Sequence, residues 1–538
     1  MSVMVPMISL QFYTTSCIIL CAYGRHMKPF IRIKKIHGHE YAYEITPYYD
    51  KKTKKIRQKS KYLGKYENGK IIRVHYKPPR RTLDYGEFLP YIYILDDLKI
   101  NKILMDILPE NMAHIVITLA LNRLVYPLAL DNIKVWYERT FLDELFGNLS
   151  LSSQNLSRVL EKIGEGDVGV EFSERFVKSI GCNSGLIYDI TSLSSHSNLI
   201  DILEYGYNRD GENLPQINLS IVAHKDLGIP VMYDIYPGSI VDVSTLHNTI
   251  ERMRAMGIND ITLILDRGFF SSTNLNDLME MGYDFIVGAS FSNKSVKSSV
   301  LRLRRYIERG KYLHKFNGRV LFVKDIKLDI GPRRYKAYVY YDPERGQSER
   351  AHFYSHLHDI IERLEGRVIR KWEEAGRVVE DIAGRFSVYL RWSVKGGRLH
   401  VSVRDKAVSQ RVNRMGFMVL VYNGDYGWDE VLGMYKEREL VEKMFRSLKN
   451  DISGIPLRVQ KSLVVKGVIF VNFLALILRF RLLRMLKSSG LMGEYSIPKL
   501  ILELSKVKRV VLADGERVTT EVTRRQREIV ERLGLSIL

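Results

Sequence analysis

Three carboxylates in this chain stand where an isolated acid is out of place. Asp189 lies inside an apolar β-type run, LIYDITSL. Acids are depleted in strands and almost never buried without a partner, so this one requires a cation or a donor. Asp266 stands where the apolar run ITLIL gives way to Arg267 and Gly268. That is the carboxyl end of a buried strand, where open α/β sheets bind their ligands. The third acid, Glu442, belongs to a set in which Tyr435, Arg438, Glu442 and Lys449 follow at steps of 3, 4 and 7 residues. On one helix beginning near Asp429 these four fall within roughly 60° of each other, a single stripe of its surface. Val431, Val441, Met444, Phe445 and Leu448 make an adjoining apolar stripe that can pack on a sheet.

Singly, each acid has an ordinary explanation: a turn, a salt bridge to Arg267, the solvated edge of an amphipathic helix. Converging, they would repel unless a cation joined them, and hard oxygen ligands suit Mg²⁺ or Mn²⁺. Two such ions, about 3.5–4 Å apart, can activate a water or a 3′-hydroxyl and stabilise the leaving oxygen in phosphoryl transfer. Tyr435, Arg438 and Lys449 would then hold DNA phosphates beside the metals.

The elements that must position these residues follow a β-β-β-α-β-α-β order. Residues 186–193 read as a strand, and 216–224 with 229–236 as a hairpin closed by the turn 225–228. A helix spans 241–256, a short buried strand 261–265, a helix capped by Ser271 or Ser272 runs to Met281, and another buried strand covers 285–289. This is a mixed sheet with crossover helices. Residues 290–425 interrupt it with β-like runs at 320–323, 338–341, 386–392 and 399–403, and a charged helix near 349–372. Helical periodicity resumes at Asp429 and continues with breaks to Lys487, and a tail helix is expected at 520–533. Upstream, 85–163 is helical, with Ser152 or Ser153 capping a helix over 155–163. Short β-type runs at 30–36, 41–45 and 56–63 precede it as a small basic meander.

At 538 residues the chain has room for about three to four structural units. Its 46% hydrophobic and 27% charged residues exclude wholesale disorder and collagen-like repeats. Cys17, Cys21 and Cys182 cannot build a disulfide framework or a four-cysteine zinc site, which suits a reducing cytosol. The net charge of +21 calls for an acidic partner. Between residues 51 and 81 there are thirteen Lys or Arg and one acid, Glu67. With further basic clusters at 302–305, 333–336 and 479–487, this favours phosphate contacts, and Lys54, Lys55 and Arg57 are candidate DNA-binding residues. The apolar stretch 8–23 lacks the flanks of a signal peptide. The stretch 463–483 is broken by Lys466, Asn472 and Arg479 and reads as a core helix, so no membrane association is expected.

The spacing Tyr435-x2-Arg438-x3-Glu442-x6-Lys449 resembles, position for position, the signature of prokaryotic insertion-sequence DDE transposases of the YREK group. GYNRDG and PQINL within 206–219, PGSIVD at 237–242 and YLGK at 62–65 look like the same group. The resemblance begins after Met27, and 1–26 is expected to be a dispensable extension. It departs at Val468, after Gly467, where His is expected.

What the resemblance implies is a multidomain α/β protein. An RNase H-like core (183–292 and 425–490) would carry the catalytic and metal-binding triad Asp189, Asp266 and Glu442, interrupted by a β-rich insertion (293–424). A basic β-rich region (27–82) and a helical DNA-binding region (83–182) would precede the core, and a tail (491–538) would follow. Two Mg²⁺ or Mn²⁺ ions, double-stranded DNA with terminal inverted repeats, a homodimer in the synaptic complex and a cytoplasmic, nucleoid-associated location are implied with it. A nucleotide cofactor is not, and no G-x-x-x-x-G-K-[ST] loop is present. An aromatic of the insertion would hold a flipped base, with Trp392, Trp428 and Tyr422 as candidates. Two other readings compete: a DNA-binding protein that has lost catalysis, and a structure-selective nuclease on the same fold.

Overall fold

A computed structural model describes residues 28–50, 53–72, 77–181, 185–194, 203–204, 214–239, 242–256, 258, 262–452 and 461–536. The extension 1–26, all three cysteines and the whole GYNRDG motif lie outside the described residues. The chain divides into two compact units, Met1–Arg81 with Val510–Val518, and Thr82–Arg509 with Thr519–Leu538.

The first unit holds an antiparallel sheet of β1 (Phe30–Ile36), β2 (His39–Asp50), β3 (Lys55–Glu67) and β4 (Lys70–Ile72), paired in that order. Strands β2 and β3 run well beyond the short apolar runs expected, because much of the extra length is polar. Their register pairs Asp50 with Lys55, Tyr48 with Arg57, Thr46 with Lys59 and Glu44 with Lys61. The two-residue period of a strand therefore puts Lys55, Arg57, Lys59 and Lys61 on one face. All four are exposed.

After β5 (Pro79–Asp84) the chain forms α1 (Leu89–Asp97), α2 (Ile100–Ile107), α3 (Glu110–Val125), α4 (Ile133–Tyr137), α5 (Leu142–Phe146), α6 (Ser153–Glu165) and α7 (Val168–Ile180). Ser152 caps α6 by accepting a hydrogen bond from the Asn155 amide. Near the start of this layer Glu87 is buried beside Lys508, whose Nζ is 3.8 Å away. Burial pushes its carboxyl up to about 7 from 4.5. A folded pKa above the unfolded one gives stability that is full below about pH 4.5 and is lost as pH rises through 7. Glu87→Gln should flatten urea-unfolding stability across that window, by at most about 3 kcal/mol.

The second unit is organised on a nine-stranded sheet. Three antiparallel strands come first: β6 (Leu186–Ser194), β7 (Gln216–His224) and β8 (Ile229–Pro237). Helix α8 (Asp242–Ala255) crosses to β9 (Thr262–Leu265), parallel to β6, and α9 (Ser272–Glu280) crosses to β10 (Asp284–Gly288), parallel to β9. The local order is β8-β7-β6-β9-β10. Every residue of β6 is buried, as a central strand requires.

The strands beyond β10 differ from expectation. After α10 (Lys294–Leu303), β11 (Leu313–Phe316), β12 (Arg319–Ile330) and β13 (Arg333–Tyr341) do not form a body of their own. They extend the same sheet through β16 (Phe417–Tyr422), which pairs antiparallel with both β13 and β10. Tyr335, Ala337, Val339, Tyr340 and Tyr341 leave β13 apolar on both faces, and such a strand is stable only inside a covered sheet. The stretch between β13 and β16 is mainly helical: α11 (Pro343–Leu364), α12 (Trp372–Ala383) and α13 (Asp405–Val412), with one hairpin of β14 (Leu390–Lys395) and β15 (Arg398–Val403). The charged helix expected near 349–372 is α11, which starts earlier and ends at Leu364, before Glu365, whose carboxylate accepts from the Val401 amide of β15. The run 386–392 becomes a strand only from Leu390, after a 3₁₀ segment.

The chain closes with α14 (Trp428–Lys436), α15 (Glu439–Asn450), α16 (Ser462–Ser488), α17 (Ile497–Leu504), β17 (Lys508–Leu512), β18 (Arg517–Thr519) and α18 (Arg524–Arg532). Helix α16 is long and apolar enough to cross a membrane, and most of that apolar length is buried inside the protein. It packs against α3, α6 and β8. The crossing with α6 is made by backbone: a Cβ on Gly467 would lie 2.2 Å from the Leu160 carbonyl oxygen.

Candidate catalytic site

The parallel register of β6 and β9 brings two of the acids together. Tyr188 pairs with Leu265, so the next residue on each strand, Asp189 and Asp266, falls on neighbouring positions. Asp189 is 3% exposed, and its Oδ1 accepts from the Ile190 amide at 2.9 Å. Asp266 ends its strand in extended conformation and leads into a 3₁₀ turn, Arg267–Phe269. Phe269 anchors that turn, fully buried with its ring 5.2 Å from Tyr188, while Asn274 donates to its carbonyl at 2.8 Å.

The third acid comes from α15, which packs on β6 and β7 and buries Val441, Met444, Phe445 and Leu448. Glu442 sits on the exposed flank of the same helix. The single helix expected from Asp429 is interrupted at Glu437 and Arg438. There Leu440 and Val441 donate to the carbonyls three residues back, at 2.9 and 3.0 Å, the tighter 3₁₀ pattern. Tyr435 therefore lies on α14, Arg438 at the junction, and Glu442 and Lys449 on α15.

Arg438 joins the acids. Its Nη1 lies 3.3 Å from Asp266 Oδ1 and 3.9 Å from Asp189 Oδ2, and its Nη2 lies 2.8 Å from Glu442 Oε1. The Arg438 side chain is only 16% exposed, and its guanidinium carbon sits 5.6 Å from the centre of the Tyr435 ring. Burial lowers its pKa, but Asp266, then Tyr435, Glu442 and Asp189, outweigh burial and hold it above the ordinary arginine value. The Tyr435 phenol is itself pushed up, first by burial.

The donor set, three carboxylates around one cation, fits a hard divalent ion such as Mg²⁺ or Mn²⁺. One oxygen of each carboxylate faces the guanidinium. Among the described residues the one group of three acid or imidazole side chains with ligand atoms all within 4.8 Å of one another is His358, Asp359 and Glu362. That trio is exposed on one turn of α11, outside this cluster.

One contributor carries no signal in the sequence. Gly288, at the end of β10, has the Tyr435 hydroxyl lying over it, and a Cβ there would stand 2.3 Å from that oxygen. Gly288→Ala should push Tyr435 off the sheet and loosen the Arg438 junction. The expected result is a several-fold loss of any DNA-cleaving activity with little loss of DNA affinity, read by cleavage and binding assays side by side.

The other candidates are placed elsewhere. Lys449 is part-buried two turns beyond Glu442 on α15. Lys54, Lys55 and Arg57 belong to the other unit, Lys54 in the turn before β3 and the other two on its cationic face, with Arg57 Nε 3.1 Å from Asp50. Lys59 and Lys61 complete that face, and the alternation K-x-R-x-K-x-K from 55 to 61 could have found them. Two basic clusters spend charge internally: Arg479 pairs with Asp451 at 2.6 Å, Arg481 with Asp97 at 2.8 Å, and Arg333 with Glu280 at 3.1 Å. The three candidate aromatics all pack. Tyr422 stacks on Tyr338 at 4.9 Å, Trp428 lies 4.6 Å from the His314 ring, and Trp392 packs on the helical core between β13 and β16.

The sequence matches the family described as "Transposase DDE domain" over residues 180–478, more than half of the chain. No curated protein matches it. Among solved structures, a cryo-EM structure of a piggyBac transposase synaptic complex with hairpin DNA is similar at a TM-score of 0.36 and 9% identity, covering 74% of this chain and 70% of that one.

Proposed function

The chain belongs to the DDE-domain transposase family, and from that premise we propose that Asp189, Asp266 and Glu442 are its catalytic, metal-holding carboxylates. The observation that carries this is the single guanidinium of Arg438 reaching all three. A strand, a strand end and a helix far apart in sequence have no other common purpose. The order β8-β7-β6-β9-β10, three antiparallel strands then two parallel ones, supports an RNase H-like core. The spacing from Tyr435 to Lys449 supports the YREK group.

The protein would bind the terminal inverted repeats of its own element, pair two ends as a dimer, and move the element by cut and paste. A water oxygen attacks the phosphorus at the element end and the 3′-oxygen leaves as a hydroxyl. That hydroxyl then attacks a target phosphodiester, so no covalent protein–DNA intermediate and no nucleotide cofactor are needed. Asp189, Asp266 and Glu442 would hold Mg²⁺ or Mn²⁺, which supplies acidification of the attacking hydroxyl and stabilisation of the leaving oxygen. Arg438 and Lys449 would hold backbone phosphates without ligating metal. Such an enzyme acts at the nucleoid of a prokaryotic cytoplasm. Metal-dependent nicking of DNA that carries the element's ends tests the reading, and a protein that binds those ends but never cuts them refutes it.

The cationic face of β3 would track the DNA backbone. Each phosphate contact adds about −0.9 to the slope of log affinity against log salt. Replacing Lys55, Arg57 and Lys59 with Ala should flatten that slope by up to this amount per lost contact. An unchanged slope would mean that the face is only solvated.

A further inference from the structure

Arg438 holds a position that the family reading alone does not explain. A residue meant only to grip phosphate has no reason to be spent on three carboxylates. Yet the guanidinium is mostly buried and paired with Asp189, Asp266 and Glu442, while its Nε has no hydrogen-bond partner. It is held there by charge, with one donor left unsatisfied.

Resting on the carboxylate assignment above, we propose that Arg438 is an internal cation which a divalent metal must displace, and which DNA phosphate draws away. Without metal, three converging acids, one of them almost fully buried, would repel each other and destabilise β6. The guanidinium removes that repulsion. It is effectively always protonated, so it competes with metal at every working pH. It also occupies one oxygen of each carboxylate that an ion would need, so the metal site forms only as the guanidinium leaves.

The exit is built into the chain. Glu442 is on the exposed flank of α15 and half solvated, whereas Asp189 is fixed in the central strand. Arg438 stands at the α14–α15 junction, where the turn is closed in the 3₁₀ manner, its carbonyl accepting from the Val441 amide at 3.0 Å and from the Glu442 amide at 3.4 Å. A guanidinium released at this point regains charge-assisted hydrogen bonds from a backbone phosphate. By linkage, DNA that captures Arg438 raises metal affinity by the factor by which metal raises DNA affinity. Metal would then load fully only when DNA is present.

Mn²⁺ binding to the full chain, followed by electron paramagnetic resonance without DNA, tests this. Arg438→Gln should bind Mn²⁺ at least about tenfold more tightly than wild type. Its melting temperature in EDTA should fall, and Mn²⁺ should restore it. A short duplex of arbitrary sequence should raise Mn²⁺ affinity of the wild type and leave that of Arg438→Gln unchanged. If Arg438→Gln does not fold in EDTA, Arg438→Lys, which keeps a charge but not the fork, should bind Mn²⁺ more tightly than wild type by a smaller factor. Affinity in the variant equal to or weaker than wild type overturns the proposal. A different result, Mn²⁺ binding unaltered by both Asp189→Asn and Glu442→Gln, would overturn the carboxylate assignment instead.

Discussion

Asp189→Asn and Asp266→Asn, made singly, should remove DNA cleavage and strand transfer together, by several orders of magnitude. The two residues fall on neighbouring positions of β6 and the end of β9, and each loses the charge a hard cation needs while keeping its size. Cleavage and transfer should fall in parallel because both steps use the same carboxylates on the same phosphorus chemistry. DNA binding should survive, since the cationic face of β3 belongs to the other compact unit. A gel-shift assay beside a cleavage assay separates the two effects. Loss of cleavage with transfer of pre-cleaved ends intact would contradict a shared site.

Gly467→Val should produce the largest loss of stability. Any side chain at this position meets the α6 backbone: a Cβ would lie 2.2 Å from the Leu160 carbonyl oxygen and 2.9 Å from its Cα. Backbone inside a helix cannot yield as a side-chain tip can, so α6 and α16 must move apart along a buried crossing. The expected cost is about 3 kcal/mol or more, the upper end for overpacking. It should appear as an early urea transition, with loss of activity following loss of fold. The neighbouring Val468 departs from the pattern of the resembling group, but the close approach is made by Gly467 and, from the α6 side, by Gly164, where a Cβ would stand 1.9 Å from the Leu463 carbonyl oxygen.

The elements around the acids were legible because their chemistry contradicts their surroundings. A carboxylate inside LIYDITSL demands partners, and the Ile190 amide and Arg438 are among them. The strands 216–224 and 229–237 and the Ser271-capped helix could be read for a simpler reason: apolar runs with turn residues between them. Three features were not legible. The polar halves of β2 and β3 carry no hydrophobic signal, since both faces of much of that sheet are exposed. Membership of β11 to β13 in the core sheet depends on pairing with β16, a partner some 80 residues away that no local pattern announces. The break at Glu437 and Arg438 leaves the helical spacing almost intact, so the sequence reads as one helix while the structure interrupts it where the guanidinium reaches inward.

The most direct measurement is the rate at which Glu442→Gln cuts element-end DNA in Mg²⁺. The substitution keeps size and helix propensity and removes only the charge. Glu439→Gln is the control, an exposed acid on the first turn of the same helix whose nearest cation is Lys443 at 3.9 Å. Glu442→Gln should show no detectable cutting, with DNA binding retained and Glu439→Gln fully active. Cutting by Glu442→Gln at the wild-type rate would contradict the carboxylate assignment.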